Sequence, residues 1–492
     1  MKFSSRVKIL RSSAFAAASI LISACQTPER SAESAKAEPA QKPTAPQAVK
    51  IETPAPKPVA EPAKPAPAAQ VPAPIPHPSR PAARIAEPAP STPDVPKVDY
   101  KSFSPGKLLL DENGRIVNAH GAGFIRDNGR YYMFGEHRLG GELGRKSLVG
   151  VRCYSSADLL NWKDEGVALK MSSDPKSDIF TGSILERPKV IYNPKTKKYV
   201  MWMHIERRKA ATAHSANFDD IAAEKADYSS ARIGLAVSDK ITGPYSYVKS
   251  FRPNPKKYPV GEEKKLRDVR TLLVLKDPDM RYITLDNFRK GKYGIDEIFI
   301  RDFDKGQMAR DFTAFIDDDG KAYLICASEE NGTLQIHELS DDYQNFTGSF
   351  TRAFKGGFNE APAIFKKDGK YFMISSGCTG WKANAARLWS ADSIFGEWKD
   401  IGNPCRGTPE EIATTFNAQS TYVIPVAEKS GAFVFVGDRW KSDDLMDSRI
   451  IFLPVEWENG LPVLRWRDSW DMKIFDAKPT PPLSPPPAAP IK

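Results

Sequence analysis

NGRYYMFGE (128–136), KTKKYVMWM (195–203), DGKAYLICA (319–327), DGKYFMISS (368–376) and KSGAFVFVG (429–437) are one short pattern written five times. In each, a turn holding Gly or Lys leads into an aromatic strand. A second signal follows every copy, a Ser with Asp nearby and then Trp, Tyr or Phe: SSADLLNW (155–162), SDKITGPY (238–245), SDDYQNF (340–346), SADSIFGEW (390–398) and, more loosely, DSRIIFLPVEW (447–457). Recurrence of this kind marks an array of one supersecondary unit. Each unit reads as short strands joined by tight turns, with no amphipathic helix inside it. Radially packed four-stranded sheets, a five-bladed all-β propeller, satisfy the pattern. Five innermost strands then surround one axis, and their ends line a pocket where chemistry should be sought.

The flanks of the array are of another kind. Arg6, Lys8 and Arg11 precede an apolar run from Ala14 to Ile22, too short to span a bilayer and typical of an export signal. It ends Leu21-Ile22-Ser23-Ala24-Cys25, a lipobox-like string in which Cys25 becomes the lipidated first residue. Gln26 follows where an Asp would favour inner-membrane retention, so the outer membrane is expected. Residues 26–97 are rich in Pro, Ala, Lys and Glu and nearly free of aromatics, a composition that cannot order itself by burial. Such a tether reaches up to roughly 200 Å at about 3.1 Å per residue. A second Pro-rich tail occupies 479–492. Between them, residues 98–478 suffice for one propeller with insertions.

The formal net charge of +10 is spread along the chain without a Lys/Arg stripe interleaved with aromatics. That argues for solubility and against nucleic-acid binding. Of the five cysteines none forms a metal-type CxxC pair, and no metal or redox cofactor is expected. Cys153 and Cys326 read as buried thiols. Cys378 and Cys405 flank one repeat, and an exported protein could join them as a disulfide.

Three acids break the apolar pattern at matching places. Glu186 precedes RPKVIYN, Asp311 sits in MARDFTAFIDDDG, and Glu360 opens EAPAIF. Each stands where an innermost strand begins. A carboxylate there is costly unless it faces a wet pocket. Converging carboxylates suit glycosidic cleavage: one acid protonates the leaving oxygen, and neighbouring negative charge keeps its pKa high enough to hold that proton. The plain alternative is that each caps a turn or pairs with Arg187 or Arg310.

At these residues the chain resembles glycoside hydrolase family 43, a five-bladed propeller family, and within it the exo-β-1,3-galactanase branch. The matching strings include VNAHGAG (117–123), ERPKVIYN (186–193), ARIGLAVSD (231–239), ARDFTAFIDDDGKAYLI (309–325), ASEEN (327–331), EAPAIFKKDGKYF (360–372), SGCTGW (376–381), FNAQST (416–421) and GDRW (437–440). The resemblance implies that Glu360 is the general acid and that Asp311 raises its pKa and orients it. The Asp base of the wider family is absent from VNAHGAGF. The branch shares that absence and uses a Gln to position the water, which Gln419 matches. Glu186 matches a sugar contact at the cleavage subsite, although it could also be the base. Glu136, Tyr228, Glu330, Asn331, Thr379, Trp381 and His120 are further candidate substrate contacts. Trp440 could serve the same purpose or pack between blades.

Two stretches depart from the branch: 207–226, polar, Ala-rich and possible as helix, and 254–308, with strand-like runs TLLVL (271–275) and RYITL (281–285). The function implied is inverting, exo-acting release of galactose from β-1,3-galactan by a monomer held to the membrane through Cys25. An arabinofuranosidase or xylosidase on the same fold, and a lipid-anchored glycan-binding propeller without catalysis, remain alternatives.

Overall fold

The computed structural model describes residues 98–208 and 230–476. Cys25, Tyr228, the Pro-rich flanks and most of the 207–226 stretch lie outside them. The described chain forms five antiparallel sheets, built in sequence order as five blades. The innermost strands are His120–Asp127, Ile184–Asn193, Phe312–Ile316, Asn359–Lys367 and Gln419–Pro425, and each neighbours the next around a ring, the fifth returning to the first. The second strands are Arg130–His137, Lys198–Glu206, Ala322–Ser328, Lys370–Gly377 and Phe433–Arg439. These carry the aromatic runs of the repeated pattern.

The quoted turns are therefore the hairpins between first and second strands. Asn128-Gly129 has φ of 46° and 79°, and Asp368-Gly369 has 52° and 77°. Two successive positive φ values define the hairpin turn whose twist matches that of its strands, which is why Asn-Gly and Asp-Gly recur there. The second strands read as nearly unbroken apolar runs because blades cover both their faces. Met133 and Trp162 of blade I pack with Val434 and Phe452 of blade V, and four further clusters fill the remaining gaps between blades. The ring closes where Phe103 bridges Trp470, their rings stacked at 4.0 Å. Blade V gains a fifth strand, Cys405–Arg406, parallel to Leu461–Arg465.

The 254–308 stretch is helical where strands were expected. TLLVL ends helix α1 (Glu263–Lys276), and RYITL is an irregular lead into α2 (Leu285–Arg289), which α3 (Ile295–Asp302) follows. Five consecutive apolar residues do not distinguish strand from helix. The deciding signal is the wider spacing: Leu266, Val269 and Leu273 share one face and join Ile298, Phe299 and Phe350 of blade III in a small core. Leu272 and Leu275 stay exposed. The disulfide that the sequence leaves open does not form: Cys378 and Cys405 are free thiols, the first exposed beside Glu360, the second in the core between blades IV and V.

Candidate active site

A repeated backbone device builds the pocket. Pairing of first and second strands shifts register after His120, Glu186, Glu360 and Ser420. The residues following the first three, Gly121, Arg187 and Ala361, have φ of 58°, 51° and 54°. Such bulges re-aim side chains at the ends of strands. A non-glycine residue in this left-handed region costs roughly 1–2 kcal/mol, so Arg187 and Ala361 are held there by their surroundings. In blade III, Asp311 stands just ahead of its strand, its carbonyl accepting the Ala327 amide at 2.8 Å.

Glu186, Asp311, Glu360, Gln419, Trp381 and Trp440 thereby share one pocket of about 220 Å³ at one end of the axis. A larger cavity at other strand positions, lined by Phe124, Val190, Phe315 and Ile364, is mostly apolar and offers no pair of acids.

Arg187 is the hub. Its Nη2 donates to Asp311 Oδ2 at 3.0 Å and to Gln419 Oε1 at 2.6 Å, and its backbone amide donates to Glu136 Oε1 at 2.7 Å. Gln419 Oε1 also accepts Trp440 Nε1 at 2.8 Å, while Gln419 Nε2 donates to Ser376 Oγ at 2.9 Å. Both acceptor sites of the amide oxygen are filled, which fixes which way the amide points.

Glu360 Oε1 accepts Asn331 Nδ2 at 2.6 Å. Burial first, then the charge of Asp311, push the Glu360 carboxyl up to about 7, against the pull of Arg187, the Cys378 thiol and Arg310. Glu186 goes the other way. Burial would raise it, but His204 and Arg138 more than offset that and hold it at about 2. His204 lies 3.4 Å from Glu186 and 3.1 Å from Glu206. Burial opposes its charge, yet the two carboxylates raise it to about 10. Two acids in one pocket are thus driven apart, one to hold a proton and one to stay ionised. Ligating atoms of Glu186, His204 and Asp311 fall within 4.8 Å of one another. Arg138 and Arg187 already pair with those carboxylates, and Glu186 and Glu206 favour the charged form of His204, so cationic groups of the chain itself already face these ligand atoms.

The other candidates divide. Glu136 reaches the pocket floor, but Arg138 and the Arg187 amide occupy both its oxygens. Glu330 is spent on Arg301 and Arg310. Thr379 holds its own loop through the Lys382 carbonyl and Asn384. His120 is fully buried behind Trp440, outside the pocket lining, and burial and then Arg138 keep it neutral, at about 3. Trp381 is 37% exposed and meets Trp440 edge-on at 5.3 Å. Arg138, His204, Ser376 and Asp438 escaped the sequence reading. A lone polar residue within an apolar second strand, as His204 is in VMWMHIE, was the available signal. Asp438 is buried beside His120 at 3.9 Å, and burial lifts it to about 7.

Gly121 permits the floor. A Cβ there would lie 2.5 Å from Glu136 Oε1. Gly121→Ala is expected to cost about 1–3 kcal/mol of stability and to lower turnover roughly tenfold or more by displacing Glu136 and hence Arg187. Thermal melts and steady-state assays check both.

Residues 289–462 match the family model described as glycosyl hydrolases family 43. Among solved structures, a family 43 β-1,3-galactosidase with galactodeoxynojirimycin is 45% identical at a TM-score of 0.65, over 75% of this chain and 100% of that one. A second family 43 β-1,3-galactosidase is 35% identical at 0.59, over 77% of this chain and 65% of that one. An exo-β-1,3-galactanase from Clostridium thermocellum is 30% identical at 0.56, over 75% and 66%. Comparison with curated proteins gives no match. Strand-end acids gathered by a five-bladed ring, and 45% identity across the whole of a solved relative, place this chain in glycoside hydrolase family 43.

Proposed function

We propose that the protein is an inverting, exo-acting galactosidase that removes galactose from the end of β-1,3-galactan. The observation that carries the reading is that half-buried Glu360 shares the pocket with Asp311, where burial and then the Asp311 charge push its carboxyl up to about 7, so that it keeps a proton to give. In this reading the Glu360 proton passes to the glycosidic oxygen as the C1–O bond breaks, and a water held by the second Nε2 hydrogen of Gln419 attacks C1 from the opposite face and gives its surplus proton to solvent. Glu186, ionised and fixed by Arg138, accepts sugar hydroxyls. The exposed Trp381 face suits the apolar face of a pyranose. The 220 Å³ pocket has room for a terminal sugar. Similarity to β-1,3-galactosidases supports galactose as the released sugar. A lipid anchor at Cys25 would hold a monomer at the outer membrane.

The test is incubation with β-1,3-galactan, arabinan and xylan, following the released sugar and its anomer. Galactose of inverted configuration is expected. Arabinose or xylose would move the activity elsewhere in the family, and binding without release would remove it. Asp311→Asn supplies a sharper check. The general acid works only while protonated, so activity falls as pH rises through its pKa. Removing the Asp311 charge lowers that pKa, and the basic limb of the kcat/KM profile should move on the order of one pH unit toward acid. An unmoved limb would contradict the role given to Asp311.

A further inference from the structure

The turn Glu329-Glu330-Asn331 has three consecutive residues at φ of 51°, 58° and 63°, none of them glycine. Left-handed backbone in such a run persists only where the surroundings over-determine it. Those surroundings come largely from the helical 254–308 stretch. Arg301 of α3 donates to Glu330 Oε1 at 2.9 Å. Buried Arg352 grips Glu329 Oε1 at 2.8 Å and is itself gripped by Asp296 at 2.7 Å and Glu262 at 3.1 Å. The α3 residue Ile295 fills the space over Gly332, where a Cβ would meet its Cδ1 at 2.5 Å. On the other side of the acid, Phe288 of α2 packs against Phe358, two residues before Glu360, at 5.6 Å. The end product of this clamp is Asn331, whose Nδ2 donates to Glu360 Oε1.

We propose that the 254–308 stretch positions the general acid: Arg301, through Glu330 and the strained turn, fixes Asn331 on Oε1 of Glu360 and so leaves the transferable proton on Oε2. Arg301 is a positioning residue, remote from the sugar. The inference rests on Glu360 being the acid. It explains why an insertion that contributes no side chain to the pocket lining is tied to the fold by charged groups at the acid's own turn.

The test is a double-mutant cycle in the full chain on β-1,3-galactobiose. Arg301→Met is expected to lower kcat roughly 10- to 100-fold with KM within about threefold, as loss of orientation does. A donor to the carboxylate favours its ionised form, so losing it moves the basic limb to higher pH. Asp311 and Arg310 of blade III, Arg187 of blade II and Cys378 of blade IV, the other groups facing Glu360, are unchanged. Asn331→Ala should act in the same direction. The double variant should be no worse than Asn331→Ala alone, because both act at one contact. Arg301→Lys should recover part of kcat. If Arg301→Met does not fold, Arg301→Gln takes its place, which removes the same charge and leaves Glu330 paired with Arg310. Wild-type kcat and an unshifted limb, or losses that multiply, overturn the proposal. Glu360→Gln measured in parallel separates the two claims: full activity there sinks the acid assignment itself.

Discussion

Glu360→Gln is expected to lower kcat on β-1,3-galactan by about 10²–10⁴-fold, the range removed with a general acid. The amide keeps the shape and still accepts from Asn331 through its oxygen, but it carries no transferable proton. The same variant should be more stable than the wild type at pH 8. The sign follows from the raised pKa. An unfolded Glu ionises near 4.3, whereas in the fold Glu360 holds its proton up to about 7. Below about pH 4.3 the group costs nothing. Between 4.3 and 7 the fold is increasingly penalised because the unfolded chain releases the proton that the fold keeps, and above 7 the penalty is complete, on the order of 4 kcal/mol. Gln removes that penalty, so the melting temperature should rise by a few degrees at pH 8 and hardly change at pH 4. A variant that is inactive and also less stable at pH 8 would show that Glu360 is held as a structural ion pair instead.

The second large effect is at Gln419. Gln419→Ala should lower kcat about 10²-fold or more, while Gln419→Glu should stay within about tenfold of the wild type. Arg187 and Trp440 fill the amide oxygen and Ser376 takes one Nε2 hydrogen, so the side chain is locked and water must meet the remaining face of the amide. A Glu in this place would be kept ionised by Arg187 and would have a lone pair free for the proton of water. It should also introduce a new acid limb into the pH profile, since a base works only above its pKa. Glu186 is a poor candidate for the base, since His204 and Arg138 keep it near 2. Undiminished hydrolysis by Gln419→Ala would sink the water-positioning role.

Legibility in the sequence followed the range of the interactions. Turns such as Asn128-Gly129 and Asp368-Gly369 act within four residues, and the aromatic strands after them announce themselves by composition. Glu186, Asp311 and Glu360 stood out because an acid heading an apolar strand is locally odd. What those acids touch was not legible, because the contacts join distant chain: Arg187 and Gln419 are 232 positions apart. Nor did any glycine flag the bulges at Arg187 and Ala361, whose φ values are imposed from outside. Glu136 and Glu330 look like sugar contacts by type, yet neighbouring arginines claim them. The 254–308 stretch misled through a five-residue apolar window shorter than the helical period that governs it.

The stacked pair Phe103 and Trp470 brings the two ends of the described ring side by side. Neighbouring ends make the order of the blades, in principle, a matter of where the chain is cut. A permuted gene that splices across this clasp and opens at an outer hairpin such as 392–396 should rebuild the same ring.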